Sequence, residues 1–220
     1  MRLGMGKEGY SLHFYPDDER LDVKNSNGAV VKRYPARTVD MDEVRNGTPR
    51  YEEPPKGTFI IQVIQPITTK NWDYSQIAWG EMVEIRTSDM AVFDLSGKKM
   101  FILDYGVKDI IRSYSDMPEV VQAIQRRQTI RVPYRFNDFG HIGIKFFKDI
   151  NGNKKFDPQI EHIVPTYIHS TPSDEWDRIN NQDKARALGY SHGCIHMYPS
   201  DIDELLREYV VRRVTTVTIH

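Results

Sequence analysis

The apolar residues of this chain come in short β-type runs cut by turn residues, and that pattern restricts the fold more than any other feature. Arg20–Lys24 and residues 29–34 flank Asn25-Ser26-Asn27-Gly28. Asn-Gly tolerates the positive φ of a tight hairpin turn, so the three segments read as strand, turn and strand. Ser11–Tyr15 reads as the preceding strand, turning through Pro16-Asp17-Asp18-Glu19. Residues 58–64, 91–95, 100–103, 141–147 and 215–219 are further runs of the same kind. Helical signals are fewer. Asp116, Pro118 and Glu119 mark a helix start with Asp116 at the cap, and Met117, Val120, Val121 and Ile124 form its apolar stripe. Ser200 is expected to cap a second helix with Ile202, Leu205, Leu206 and Tyr209 on one face. Polar residues 173–189 read as a third, started by Ser173 and ended by Gly189.

The expected fold is mainly β with a few helices: a mixed β-sandwich or flattened barrel, with a helix and loops gathered at one side. Residues 10–220 are expected to form a single domain after a Gly-rich, frayed N-terminus at residues 1–9. Residues 39–56 read as a long loop, either a solvated connection or the wall of a cleft. Trp72, Tyr74 and Trp79 cluster after the next strand and are expected in the core.

Charge excludes two classes of partner. Thirty basic against 31 acidic residues give a net charge of −1. That balance argues against a nucleic-acid binder driven by phosphate neutralisation and against a polybasic membrane anchor. No stretch reaches the ~18 apolar residues of a spanning helix, and residues 1–10 hold no apolar signal core, so an export signal is absent from this sequence. The single cysteine makes no intrachain disulfide.

That cysteine lies in Tyr190-Ser191-His192-Gly193-Cys194-Ile195-His196-Met197, with Ile168-His169-Ser170-Thr171-Pro172 upstream. A lone Cys with a histidine supplied from elsewhere is the raw material of a thiol nucleophile. The thiolate is the reactive form, and His169 or His192 is placed to take its proton. Gly193 removes a side chain beside the sulfur and frees the backbone to aim N–H groups at an oxyanion. Two plainer readings stand beside this one. Cys194 reads equally as an inert buried cysteine. His192, Cys194 and His196 would share one face of a strand and bind zinc, although no second Cys completes a usual ligand set. Farther upstream, Asp149, Asn151, Asn153 and Asp157 invite a calcium reading. An EF-hand loop needs Gly and Glu where Lys154 and Ile160 stand, so the segment reads instead as a hairpin turn on Asn151-Gly152. Residues 160–168 would be the partner strand, delivering His169 at its end.

Ser191-His192-Gly193-Cys194-Ile195, with His169 upstream, resembles the signature of the L,D-transpeptidase (YkuD-like) catalytic domain. Arg20-Leu21-Asp22-Val23, Asn27-Gly28 and Pro55-Lys56-Gly57-Thr58-Phe59 resemble the opening of such domains, and Asp201-Ile202-Asp203-Glu204-Leu205 with the last strand their close. Two departures stand out. His196 occupies a position where the family usually has Arg or Asn, and 25 positions separate His169 from Cys194. That gap is longer than the family's usual spacing and implies an enlarged loop over the active site.

The resemblance implies a YkuD-like architecture and acyl transfer on peptidoglycan stem peptides, as an L,D-transpeptidase or an L,D-carboxypeptidase releasing terminal D-Ala. It implies Cys194 as nucleophile and His169 as base. Ser170 would hold the His169 tautomer through its hydroxyl or its carbonyl, and His192 would tune the thiolate. The N–H groups of Cys194 and Gly193 would form the oxyanion hole, and Tyr190, Ser191 and His196 would bind substrate. No metal or organic cofactor is implied. The partners are stem peptides as donor and acceptor, with no nucleic acid, and the location is the periplasm or cell envelope, or outside the cell as a secreted effector. Readings from other classes are a catalytically silent cell-wall-binding module of the same fold and a toxin-type enzyme acting on a target cell's peptidoglycan. A papain-like protease is disfavoured, because papain-like enzymes place Cys before His in the chain.

Overall fold

The computed structural model describes residues 9–47, 52–65, 77–86, 88, 91–97, 99–102, 114–135, 139, 142–170 and 188–220. Leu12 and Phe14 alternate with Ser11, His13 and Tyr15, which makes β1 (Ser11–Tyr15) a strand with one apolar face. β2 (Arg20–Lys24) and β3 (Val30–Pro35) form the expected hairpin. Asn25 holds its turn, with Oδ1 accepting the N–H groups of Asn27 and Ala29 at 3.0 Å each. Gly28 takes the required positive φ of 78°. Next come α1 (Met41–Arg45), β4 (Gly57–Gln65), β5 (Met82–Arg86), β6 (Ala91–Phe93), β7 (Lys99–Ile102), α2 (Pro118–Gln125) and β8 (Thr129–Pro133). The chain ends with β9 (Gly143–Phe147), β10 (Ile163–His169), β11 (Ile195–His196), α3 (Pro199–Glu208) and β12 (Thr216–Ile219).

Eight strands make one mixed sheet in the order β11-β10-β9-β4-β12-β1-β2-β3. The last strand lies in its middle, parallel to β1 and antiparallel to β4. The sheet does not end in two free edges. Just beyond β3, Arg37 bridges His196 of β11 antiparallel, with N–H···O bonds of 3.0 Å and 2.6 Å in the two directions. This seam brings the outer strands together and closes the sheet as a flattened barrel, which removes exposed pairing groups there. Leu12, Phe14, Leu21, Val23, Phe59, Ile61, Ile144, Phe146, Ile168, Ile195, Val217 and Ile219 fill the interior with Ile202 and Leu205 of α3. Each such side chain contributes about 1.5–3 kcal/mol when fully buried.

The other four strands form a separate antiparallel sheet, β7-β6-β5-β8, lying in sequence between β4 and β9. It has its own apolar cluster of Ile77, Val83, Ile85, Val92, Tyr114, Val120, Ile124, Val132 and Tyr134. Among the described residues the interior therefore has two main clusters, with two small pairs, Ala91 with Phe93 and Leu188 with Tyr198, beside them.

Several local expectations are corrected. Met117, not Asp116, is the N-cap of α2, and Asp116 pairs with Arg135. Tyr198 is the N-cap of α3, leaving Ser200 inside its first turn. In both helices a proline, Pro118 or Pro199, occupies the first turn, where its fixed φ and missing N–H fit best, and this moves the cap to the preceding residue. The loop at 39–56 contains α1, capped by the Asp40 carboxylate on the Asp42 and Glu43 N–H groups at 3.0 Å and 3.4 Å. β9 and β10 pair antiparallel, but through a wide connection and not a two-residue turn, with β10 starting at Ile163 and not Ile160. Trp79 is half-buried at a turn, not in the core, while Trp72, Tyr74, Thr171, Pro172 and the expected helix over 173–187 lie outside the described residues. Among the described residues no helix is long and apolar enough to cross a membrane.

Candidate active site

β9, β10 and β11 turn alternate residues to opposite faces. Ile144, Ile168 and Ile195 enter the core. The other face carries the polar residues in two rows. In one, Gly143 of β9 pairs with His169 of β10, which pairs with His196 of β11. In the other, Lys145 pairs with Tyr167, and continuing the parallel register sets Cys194 beside Tyr167. The two sequence clusters, 25 positions apart, thus meet because β10 and β11 are parallel neighbours. Met197 N–H donates to the His169 carbonyl at 2.9 Å and extends that ladder.

His169 is buried, and its Nδ1 lies 2.8 Å from the Ser170 carbonyl. A carbonyl only accepts, so Nδ1 carries the proton and Nε2 is left as a base. Burial and the neighbouring His196 push its pKa well below the usual histidine range, so the imidazole is neutral. The Ser170 hydroxyl is buried without a partner among the described residues. Of the two ways Ser170 was expected to orient His169, the structure has the carbonyl.

His196 is also buried, and its ring packs edge-on to His169 at 4.7 Å between centroids. Its Nδ1 donates to the Gly189 carbonyl at 2.9 Å, and burial lowers its pKa to about 4. It packs against His169 as a neutral ring. His192 is exposed on the turn.

Ser191 staples the turn. Its hydroxyl donates to the Cys194 carbonyl at 2.6 Å and accepts the Gly193 N–H at 3.1 Å. It is 4% exposed, so its contacts are with the turn. The Gly193 N–H is thereby committed, whereas the Cys194 N–H has no partner among the described residues and is the donor open to an oxyanion. Gly193 sits at φ +141°, a conformation closed to side chains. The carbonyl of Glu52 lies 3.5 Å from where a Cβ would be, so the chain at Glu52 flanks the Cys194 turn. Burial pushes the Cys194 thiol up to about 11, against the opposing pull of a hydrogen bond from the Tyr167 backbone and the charge of Lys145.

Sequence reasoning missed Arg37. It is 8% exposed, donates to the Leu188 carbonyl at 2.6 Å and pairs with Glu19 at 2.5 Å. Its guanidinium lies 4.6 Å above the ring of Tyr190, which is half exposed at the rim. Nothing in Pro35-Ala36-Arg37-Thr38 signals this role, because the carbonyl it holds, that of Leu188, is 151 positions away. Lys145 was legible in principle: a charge between Ile144 and Phe146 must face away from the core.

Among the described residues, no group of three or more His, Cys, Asp or Glu side chains is arranged to hold a metal. His196 has Nδ1 on the Gly189 carbonyl and its ring against His169.

The sequence model of the YkuD family, described as the L,D-transpeptidase catalytic domain, matches residues 9–219. No curated protein matches the chain. Among solved structures, similarity is found to Bd1075 of Bdellovibrio bacteriovorus at 13% identity, covering 97% of this chain and 48% of that one, with a TM-score of 0.41. An L,D-transpeptidase from Mycobacterium smegmatis is 14% identical, with 97% and 59% covered and a TM-score of 0.39. L,D-transpeptidase 1 of Mycobacterium tuberculosis is 12% identical, with 97% and 62% covered and a TM-score of 0.37. The chain thus spans about half to three-fifths of the length of these proteins, and at such scores the family match is the finding that carries weight.

Proposed function

Because the chain belongs to the YkuD family of L,D-transpeptidase catalytic domains, we propose that it transfers acyl groups between peptidoglycan stem peptides through a thioester on Cys194. The observation that best supports this reading is the state of His169. It is a buried, neutral imidazole with Nδ1–H held by a carbonyl and Nε2 left to accept a proton, on the strand beside the nucleophile turn.

With the thiol raised and the imidazole lowered, the resting pair at neutral pH is uncharged thiol and uncharged base. The proton moves to His169 Nε2 as sulfur attacks the carbonyl between the L-centre of the diamino acid and the terminal D-Ala. Negative charge on the carbonyl oxygen is met by the Cys194 N–H. Collapse breaks the C–N bond, His169 returns the proton to the leaving amine, and D-Ala departs. An acceptor amine then forms a cross-link, or water gives the carboxypeptidase product. The reaction belongs in the cell envelope, on the periplasmic side of the membrane.

The test is mass spectrometry of the protein and of its products after incubation with tetrapeptide muropeptides. D-Ala release and an acyl adduct on Cys194 are expected, both absent in Cys194→Ala. His169→Gln should slow acylation about 10²–10⁴-fold. Binding without any adduct would replace the enzyme by a silent wall-binding module. A neutral resting pair also predicts that iodoacetamide alkylation rises about tenfold per pH unit from pH 7 to pH 10 and levels off only above the raised thiol pKa of about 11. A plateau below pH 8 would show a preformed thiolate instead.

A further inference from the structure

The row that ends at Cys194 begins with a cation that the reaction above does not use. Lys145 lies on the polar face of β9, in register with Tyr167, and its Nζ sits 4.5 Å from the centre of the Tyr167 ring. Tyr167 is in turn the register neighbour of Cys194. Strands lie about 4.8 Å apart, so two spacings, roughly 10 Å, separate the backbones of Lys145 and Cys194. The Lys145 stem crosses part of that gap over the Tyr167 ring, which holds the charge by a cation–π contact and keeps it in the row. Lys145 is half-buried, and among the described residues no carboxylate pairs with it. On the same strand, the residue opposite His169 is Gly143, so no β9 side chain stands beside the base.

A half-buried ammonium held on an aromatic ring, with no carboxylate paired to it among the described residues and beside a nucleophile, is arranged to receive an anion from outside. We propose that Lys145, seated on Tyr167, is a specificity-determining residue that binds a carboxylate of the acyl donor while Cys194 attacks it. The proposal rests on the acyl-transfer reading and adds to it which donors are accepted. Stem peptides offer two carboxylates near the scissile bond, that of the terminal D-residue and that on the diamino acid side chain. Both present the same chemistry to an ammonium.

The first test needs no peptidoglycan. Iodoacetate and iodoacetamide are displaced by the same thiolate, with loss of iodide, so the ratio of their rates cancels any change in thiol pKa. Lys145→Met keeps the length of the stem and removes the charge; it should lower the iodoacetate-to-iodoacetamide ratio about tenfold. Lys145→Arg should retain the ratio. An unchanged ratio in Lys145→Met, with a circular dichroism spectrum and Tm like those of the wild type, overturns the proposal. The second test compares tetrapeptide donors amidated at the terminal carboxylate or at the diamino acid side chain. The amide at the recognised position should raise KM about tenfold in the wild type and leave Lys145→Met unaffected. If both amides act alike in wild type and variant, Lys145 does not read the donor. If the alkylation ratio depends on Lys145 and no muropeptide is turned over, the anion site stands and the peptidoglycan reading fails.

Discussion

Two serines beside the two functional clusters have opposite standing. The Ser191 hydroxyl bonds two backbone groups of the Cys194 turn, whereas the Ser170 hydroxyl is buried with no partner among the described residues. Ser191→Ala should leave a carbonyl and an N–H unpaired at the turn, costing about 1–3 kcal/mol, and should slow Cys194 acylation at least tenfold by loosening the sulfur's position. Ser170→Ala should stay close to wild type in both measures, because the carbonyl that holds His169 belongs to the backbone and survives the change. Thermal denaturation and intact-mass acylation kinetics on both variants check this; equal losses would show that the Ser170 hydroxyl matters. The contrast also marks the limit of legibility at this scale. The motif residues were readable because thiol, imidazole and glycine are chemically distinctive. Which atom of Ser170 or Ser191 acts was not, since it depends on a path of the backbone that only folding sets. His196 was read as a substrate contact for the same reason, and its burial behind His169 is a tertiary fact.

Strands were the legible elements because alternation is local, and the connections were not. The segment between β9 and β10 illustrates why. Its Asn151-Gly152 does turn, with Gly152 at φ +73°. The shape, however, is set by Asp149, which accepts from Gly152 and Lys154 N–H at 2.8 Å and 2.9 Å, and by Glu161. Glu161 is 1% exposed, and its two carboxylate oxygens accept from the N–H groups of Ile150 and Asp157 at 2.8 Å each. An acid eleven positions from one of its donors leaves no short-range signature. By contrast, Asp40 followed by Glu43 is a readable helix start that marks α1 within the supposed loop. Glu161→Ala should leave two part-buried donors without their acceptor and empty a buried site, for a loss of about 2 kcal/mol or roughly 4–8 °C in Tm. Glu161→Gln, which keeps one accepting oxygen, should lose about half as much. A Tm within 2 °C of wild type for Glu161→Ala would mean that the connection holds its shape without the carboxylate.

At the scale of the molecule, the candidate active site lies on the seam that closes the barrel. The chain beyond β3 and the chain around β11 meet through Arg37 and His196, and Ser191 N–H adds a third bond to the Thr38 carbonyl at 3.1 Å. The Cys194 turn is thus pinned on one side by β10 and on the other by the chain just past β3. Class and strand content were legible in the sequence; this closure was not, because it joins residues far apart in the chain and no local pattern records it. The Arg37 side chain is the clamp, reaching the Leu188 carbonyl, Glu19 and the Tyr190 ring together. Glu19 is partly exposed, so the ion pair itself adds little, and the larger effect comes from leaving a buried carbonyl unpaired. Arg37→Met should therefore cost about 2 kcal/mol, roughly 4–8 °C in Tm for a chain of this size. The distinguishing readout is amide hydrogen exchange. If the side chain holds the seam, the N–H groups of Ser191 and His196 should exchange faster in Arg37→Met, while β1, β2 and β12 keep their protection. Cys194 acylation should slow with them, since the turn that presents the thiol hangs on those bonds. A uniform loss of protection across the sheet would instead make Arg37 a global stabiliser with no particular hold on the site.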